Sequence, residues 1–271
     1  MFKLVVADLD GTLMYKKKIS KKTIETIKKL QDNGVHFSIA TGRHPNACFE
    51  IYEQLGIKGP IICNNGAMII DPVKNKVIEQ SVMSNDASEL IVEVCKRMGS
   101  DFLLYTLDEI VGTKKSRDLL LETIGGKVPY DITVLELTEI PSRVHDNVVK
   151  ILIIEEDETK RERLKSLLKK IGDISVVNSR VQFIDCGSKI SNKGIALEKL
   201  ANYYGLDMSE VIAFGDQEND LSMIQSAGFG VAMGNAISTL KVGADFITSD
   251  VRDDGFSFGV DMFVSVGDSD D

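Results

Sequence analysis

The sequence of 271 residues contains no tryptophan, only three histidines and only four cysteines. No two cysteines form a Cys-x-x-Cys pair and no histidine stands at zinc-ligand spacing from them, which argues against zinc motifs and favours buried, reduced thiols. Long apolar runs are missing as well. None has the length of a membrane span, and Asp8 interrupts the N-terminal run before it could form a signal peptide. We therefore expect a soluble, cytoplasmic protein.

An excess of positive charge is also absent. The chain has 32 lysines and arginines against 41 aspartates and glutamates, a net charge of -9. This balance argues against nucleic acid or an anionic membrane as the main partner. The length is sufficient for two domains, and nothing in the sequence indicates the oligomeric state.

Short apolar segments alternate with helical patterns at both ends of the chain. Segments 5–7, 35–40 and 60–63 are strand-like, and helical patterns at 20–34 and 45–55 separate them. The same alternation returns in the last third of the chain. It predicts an α/β fold with a doubly wound parallel sheet, which binds ligands at the carboxyl ends of its strands.

Between these two regions, helices and hairpin-like pairs of short strands are mixed. We predict a core domain of residues 1–82 and 188–271 and an inserted α+β domain of residues 83–187. The acidic residues 267–271 are expected to form a frayed end.

Two aspartates stand two positions apart at the end of the first apolar segment. Since side chains alternate along a strand, Asp8 and Asp10 can lie on one side, and Gly11 permits a sharp turn. Two desolvated carboxylates repel each other, so a cation is expected to share the site, and Mg²⁺ is the simplest candidate. The alternative is a solvated strand end without chemistry. In the functional interpretation Asp8 is a nucleophile that attacks phosphorus, and Asp10 is the general acid and base.

Thr41 and Gly42 end the second strand-like segment. The hydroxyl of Thr41 and the backbone amide of Gly42 are suited to a phosphoryl oxygen. The structural alternative is a strand-to-helix turn with a threonine cap. Arg43 is expected to be solvated.

Lys193 stands near the start of a predicted helix. A lysine at this position is unfavourable unless an anion lies close by. We predict that Lys193 neutralises Asp8 and a bound phosphoryl group, with Lys189 as the competing candidate.

Acidic residues also follow the apolar segment 211–214. Asp216 and Asp220 are four positions apart at a helix start and can share one face. We predict Asp216 as a direct metal ligand, Asn219 as a phosphate contact and Asp220 as a supporting residue behind them. The alternative is that these carboxylates only stabilise the helix dipole.

Several short motifs occur in a fixed order along the chain: Asp8-Leu9-Asp10-Gly11-Thr12-Leu13, Thr41-Gly42-Arg43, Asn65-Gly66-Ala67, Lys193-Gly194, Gly215-Asp216-Gln217-Glu218-Asn219-Asp220, Ala227-Gly228, the run Gly230 to Ala236, and Ala244-Asp245. Together, over nearly the whole chain, they resemble the Cof-type (IIB) subfamily of the haloacid dehalogenase (HAD) superfamily.

The resemblance implies a Rossmann-like core with an inserted α+β cap of type C2/IIB. It implies a magnesium-dependent phosphatase of small phosphorylated metabolites, often sugar phosphates. It also implies two sets of ligands. By resemblance, the expected ligands of magnesium are Asp8, Asp216 and the backbone carbonyl of Asp10. The expected ligands of phosphate are the amide of Leu9 together with Thr41, Gly42, Lys193 and Asn219.

One position departs from the resemblance. Val251, before the turn Asp254-Gly255, stands where relatives usually have asparagine, which leaves the contribution of that loop open. The cap offers no residue that identifies a substrate. Three alternatives to a phosphatase are a phosphomutase on the same core, a phospho-accepting signalling module without turnover, and a binding protein with an inactive site. Signalling modules are much shorter and lack an aspartate at the position of Asp10.

Overall fold

The computed structural model describes residues 1–123, 126, 131–145 and 147–264. The predicted frayed end at 267–271 lies outside them. Two units emerge from the contacts within the chain: a core unit, Met1–Glu79 with Lys193–Asp271, and an inserted unit, Gln80–Asn192.

The described residues form sixteen strands and nine α-helices. The strands are β1 (Leu4–Ala7), β2 (Met14–Tyr15), β3 (Lys18–Ile19), β4 (His36–Ile39), β5 (Ile61–Cys63), β6 (Met68–Asp71), β7 (Lys76–Gln80), β8 (Asp101–Tyr105), β9 (Ile110–Gly112), β10 (Ile132–Val134), β11 (Lys150–Ile154), β12 (Ile174–Arg180), β13 (Phe183–Ser188), β14 (Val211–Gly215), β15 (Phe229–Ala232) and β16 (Phe246–Ile247). The helices are α1 (Lys21–Asp32), α2 (Phe49–Leu55), α3 (Asn85–Met98), α4 (Lys114–Thr123), α5 (Glu158–Leu168), α6 (Lys193–Tyr204), α7 (Leu221–Ser226), α8 (Ser238–Gly243) and α9 (Gly255–Phe263). Within the described part of the chain, no helix is both long and apolar enough to cross a membrane.

The core unit contains a five-stranded parallel sheet with the strand order β16-β15-β14-β1-β4. Counted along the chain from β4, this is the order 2-1-3-4-5 of a doubly wound fold, and the predicted fold class is confirmed. The direction of winding reverses between β1 and β14, which pair from Leu4 opposite Val211 to Ala7 opposite Phe214. Open α/β sheets bind their ligands at such a reversal, beyond the carboxyl ends of the strands.

Strand β1 is buried on both faces, which explains its unbroken run of apolar residues. All four residues from Leu4 to Ala7 are inaccessible to solvent. Phe256 of α9 covers part of the sheet, with its ring edge-to-face against Phe37 of β4 and Phe214 of β14 at 5.9 and 5.0 Å. A strand covered in this way has no solvent side, so its sequence does not alternate.

The apolar segment 60–63 has a different role from the one predicted. We expected another strand of the parallel sheet, but β5 joins that sheet only through an isolated bridge between Ala40 and Ile62. Its main partner is β6, in antiparallel register within the sheet β5-β6-β7. The chain reverses at Asn64 and Asn65, both of which have a positive φ. Strands β6 and β7 were not predicted.

The inserted unit is a six-stranded mixed sheet with the order β10-β9-β8-β11-β13-β12. Only the pair of β9 and β10 is parallel. Alternate residues of β11, Ile151 and Ile153, belong to the hydrophobic core that this unit forms with residues of α3 and α5. Lys150 of the same strand is buried with Asp185, 2.9 Å from Nζ to Oδ1, which compensates both charges.

All four cysteines are buried free thiols.

Helix α7 lies so close to β15 that a side chain on Gly230 would not fit. A Cβ atom there would be 2.3 Å from the carbonyl oxygen of Ile224. We predict that Gly230→Ala lowers the free energy of unfolding by about 1–3 kcal/mol. The measurement is chemical denaturation, with Gly172→Ala as the control, since a Cβ on Gly172 meets nothing within 4 Å. Equal stabilities of the two variants would contradict the prediction.

Candidate active site

Three predicted site residues follow three neighbouring parallel strands. Asp8 follows β1, Thr41 comes two residues after β4, and Asp216 follows β14. The backbone amide of Asp8 continues the pairing with β14 by donating to the carbonyl of Phe214 at 3.0 Å. The pairing of the strands therefore brings the three side chains to the same edge of the sheet, at the point where the winding reverses.

The turn after Asp8 lies directly against Asp216. Gly11 has a φ of +99°, and a Cβ atom there would be 2.3 Å from Oδ2 of Asp216. Thr12 donates from its hydroxyl to Oδ1 of Asp216 at 3.0 Å, and Asn235 donates from Nδ2 to the carbonyl of Gly11 at 2.8 Å. Glycine is needed here both for its backbone conformation and for the close approach.

Lys193, the first residue of α6, is fully buried and contacts two carboxylates. Its Nζ lies 2.6 Å from Oδ1 of Asp8 and 2.5 Å from Oδ1 of Asp220. The competing candidate, Lys189, is exposed. Lys193 is therefore the lysine that the fold brings to Asp8.

Both carboxylate oxygens of Asp220 are occupied. Oδ1 contacts Lys193, and Oδ2 accepts hydrogen bonds from the backbone amides of Asp216 and Gln217, each at 2.9 Å. Asp220 thus fixes the lysine and the start of the loop that contains Asp216. This arrangement differs from a simple helix-dipole contact, because a side chain from another helix is involved.

Buried charged groups are close together in this site: the three carboxylates of Asp8, Asp216 and Asp220 and the single ammonium group of Lys193. Burial raises the pKa of Asp8 to about 7; Lys193 opposes this shift, while Asp220 and Asp10 add to it. Burial, with the charges of Asp8 and Asp220, also raises the pKa of Asp216 well above its ordinary value. Burial opposes the charge on Lys193, but Asp220 and Asp8 together keep its pKa above the usual range. Lys193 alone therefore does not compensate three ionised carboxylates, and a further cation would favour their ionised forms.

A divalent cation fits this set of groups. Asp8, Asp216 and Asp220 each offer a carboxylate oxygen, and these oxygens lie within 4.8 Å of one another. Hard oxygen donors and excess negative charge are what Mg²⁺ requires. Asp220 is held by the Lys193 ammonium and two backbone amides, whereas the donors to Asp216 are the side chains of Thr12 and Gln217, which can turn away. Asp8 and Asp216 are therefore the better candidates for direct ligands.

Arg43 is a site residue that the sequence argument missed. We expected a solvated side chain, but it forms a bidentate pair with Asp10, from Nε to Oδ2 and from the terminal amino group to Oδ1, both at 2.8 Å. The pair is about a quarter to a third exposed. Such a pair fixes the plane of the Asp10 carboxylate. The only available signal was that Arg43 directly follows Thr41-Gly42.

The candidate phosphate contacts surround the same edge of the sheet. Within the described residues the backbone amide of Leu9 has no hydrogen-bond acceptor. Thr41 is buried and accepts from the amide of Arg43 at 3.2 Å, so it belongs to a local turn and does not cap a helix. Asn219 is also buried and donates to Asn65, whose side chain lies over Gly42.

Val251, the position that departs from the resemblance, contributes its backbone. Its amide donates to Oδ1 of Asn235 at 2.9 Å, and Asn235 in turn donates to Gly11. This contact does not depend on the side chain at position 251, so the departure leaves the link to the Gly11 turn in place.

We predict that Lys193→Met lowers the free energy of unfolding by about 3–5 kcal/mol, because it leaves the buried carboxylates of Asp8 and Asp220 without a countercharge. The measurement is chemical denaturation at neutral pH. Lys189→Met is the matched control, and its exposed side chain is expected to change stability by less than about 0.5 kcal/mol. A loss below about 1 kcal/mol in Lys193→Met would contradict the prediction.

Comparisons with known proteins identify the family of this chain. The model of the haloacid dehalogenase-like hydrolase family matches residues 5–258. A phosphatase of Bacillus subtilis (strain 168), 5-amino-6-(5-phospho-D-ribitylamino)uracil phosphatase YwtE, is 31% identical, with 97% of this chain and 98% of the relative covered.

Solved structures give the same result. A haloacid dehalogenase-like hydrolase from Bacteroides thetaiotaomicron is 30% identical, with a TM-score of 0.80 and with 97% of this chain and 99% of that chain covered. The HAD subclass IIB sugar phosphatase BT4131 has a TM-score of 0.84 over 96% of this chain and 98% of that chain, and at 23% identity it shows the shared fold. The chain therefore belongs to the haloacid dehalogenase-like hydrolase family, and the predicted enzyme class, a phosphatase of this family, is confirmed.

Proposed function

We propose that this protein is a magnesium-dependent phosphatase that hydrolyses small phosphorylated metabolites, sugar phosphates or similar compounds, through an aspartyl-phosphate intermediate on Asp8. One observation carries the proposal: the carboxylates of Asp8 and Asp216 lie close enough to share a cation, and the same Asp8 contacts Lys193 at 2.6 Å. A cytoplasmic location and the absence of nucleic-acid and membrane partners belong to the same proposal.

In the first step Asp8 attacks the phosphorus atom of the ester. Its Oδ1 is in contact with Lys193, which leaves Oδ2 to form the new bond to phosphorus. The bond between phosphorus and the alcohol oxygen breaks, and Asp10 donates a proton to that oxygen. Arg43 fixes the plane of Asp10 by contacting both of its oxygens, and one of these contacts has to open for Asp10 to hold the proton that it donates.

In the second step water attacks the aspartyl phosphate. Asp10 accepts the proton of the water, the bond between phosphorus and Asp8 breaks, and the free carboxylate returns with inorganic phosphate as the product.

The phosphoryl oxygens need donors in both steps. We propose the following donors: the backbone amides of Leu9 and Gly42, the hydroxyl of Thr41, Nζ of Lys193 and the side-chain carboxamide of Asn219. Magnesium, held by Asp8, Asp216 and the backbone carbonyl of Asp10, with Asp220 behind them, would supply further positive charge to the phosphoryl group.

The names of relatives support the proposed substrate class. Relatives named above act on a phosphorylated ribityl compound and on sugar phosphates. A panel of phosphorylated metabolites with Mg²⁺, after a generic aryl phosphate, tests the proposal. Release of inorganic phosphate supports it. An isomerised ester would indicate a phosphomutase, and a long-lived aspartyl phosphate without turnover would indicate a signalling module; both results would overturn it.

We predict that Asp8→Asn lowers kcat at least about 10³-fold, because an amide oxygen is a poor nucleophile. The fold should persist, since the pKa of Asp8 is already raised to about 7 and a neutral side chain suits its buried position. Phosphate release and thermal unfolding are the two measurements. Near-normal release by a folded variant would remove Asp8 from this role.

We predict that chelation of divalent cations abolishes activity and that added Mg²⁺ restores it. We also predict that Asp216→Asn raises the half-activating Mg²⁺ concentration by at least about tenfold. Asp220→Asn should raise it less, because Asp220 acts through Lys193 and two amides. Asp261→Asn, on an exposed part of α9, is the control. A larger effect of Asp220→Asn than of Asp216→Asn would reverse the ligand assignment.

A further inference from the structure

Asn65 contacts two segments of the candidate site, although none of the proposed steps uses it. Its Oδ1 accepts a hydrogen bond from Nδ2 of Asn219 at 2.9 Å, across 154 positions of sequence. The same Oδ1 is 2.9 Å from the position that a Cβ atom would occupy on Gly42. One side chain therefore contacts two of the proposed phosphate-binding segments.

The backbone anchors Asn65 to the loop that it overlies. Its amide donates to the carbonyl of Thr41 at 2.9 Å, and the amide of Asn64 donates to the carbonyl of Arg43 at the same distance. Thr41, Gly42 and Arg43 are thereby bound along their length to the turn between β5 and β6. Movement of that turn would change the position of the loop.

Asn65 occupies a backbone conformation that glycine would adopt with less strain. It has φ 56° and ψ 34°, in the left-handed region, and Asn64 before it also has a positive φ. Asparagine tolerates this region better than most residues but does so less readily than glycine. The conformation permits asparagine at this position, and the contacts of its side chain with Asn219 and Gly42 give that side chain a use.

The hydrogen bond between the two asparagines also leaves polar atoms without partners. Nδ2 of Asn65 and Oδ1 of Asn219 are both buried without a hydrogen bond. Buried polar atoms of this kind lower stability. A phosphoryl oxygen beside Gly42 is an acceptor, so it can pair with the N–H groups of these two carboxamides but not with Oδ1 of Asn219.

We propose that Asn65 is a positioning residue of the phosphate site: it holds the carboxamide of Asn219, so that Nδ2 of Asn219 presents its second hydrogen to a phosphoryl oxygen beside Gly42. This inference rests on the proposed function, because it assigns a role toward the same phosphoryl group. It adds a residue that acts through Asn219 and does not take part in the bond changes at phosphorus.

The test compares Asn65→Gly and Asn65→Ala with the wild type. Calorimetric titration with inorganic phosphate in the presence of Mg²⁺ gives the Kd, and hydrolysis of an aryl phosphate gives KM and kcat. We expect Kd and KM to rise about tenfold in both variants, equivalent to about 1.4 kcal/mol. We expect kcat to change less than about threefold, because the contact is made equally in ground and transition states.

The glycine variant separates positioning from folding. Glycine relieves the left-handed strain, so the midpoint of thermal unfolding should not fall, whereas alanine retains the strain and should lower it. Asn75→Gly is the matched control: Asn75 also has a positive φ, 47°, but is exposed in the turn between β6 and β7. It should leave Kd and KM unchanged.

A double mutant identifies the partner. If Asn65 acts through Asn219, Asn219→Ala alone and Asn65→Gly with Asn219→Ala should weaken phosphate binding to the same extent. Additive effects, or a wild-type Kd in Asn65→Gly, would overturn this inference and leave the proposed phosphatase in place. A wild type that neither binds phosphate nor hydrolyses any ester would overturn the proposed function itself.

Discussion

The contact of Lys193 with Asp8 and Asp220 is the interaction on which the rest of the site depends. A buried ammonium group is stable only with countercharges, and three carboxylates in one buried site are stable only with cations. Lys193 lies at the start of α6, Asp8 follows β1, and Asp220 precedes α7. One charge cluster therefore fixes the relative positions of three elements at the reversal of the sheet. The negative charge that remains is the physical basis for a cation in this site.

Close packing extends the effect of this cluster to the neighbouring loops. A side chain on Gly11 would collide with Asp216, and a Cβ atom on Gly215 would lie 2.5 Å from Cβ of Asp220. The turn after β1 thus packs directly against the loop after β14, and that loop packs closely against the end of its own strand. Asn235 adds a hydrogen-bonded link from the Gly11 turn to the amide of Val251. Because that link uses backbone atoms of residue 251, the sequence can vary there without loss of the contact.

Local sequence was sufficient to predict the fold class and the neighbourhood of Asp8, Thr41 and Asp216. Each follows an apolar strand, and parallel strands end at one edge, so position along the chain predicts position in space. The pairs Arg43–Asp10 and Asn219–Asn65 join residues 33 and 154 positions apart. The hydrophobic periodicity of a sequence predicts helices and strands but not side-chain contacts between distant residues. The segment 60–63 was assigned to the wrong sheet for a similar reason: an apolar run shows that a strand is buried but does not show its partner.

Two residues with positive φ and three buried polar atoms without hydrogen bonds lie beside the place where the phosphoryl group is proposed to bind. Asn64 and Asn65 have positive φ values, and the side chains of both, together with that of Asn219, have buried atoms without hydrogen bonds. Each feature reduces the stability of the protein without a ligand. A phosphoryl group brings an acceptor for the N–H groups of Asn65, and a cation brings positive charge to the carboxylates, so both are expected to stabilise these loops. The segments that contain Asn64, Asn65 and Asn219 are therefore both part of the proposed site and expected to be stabilised when substrate binds.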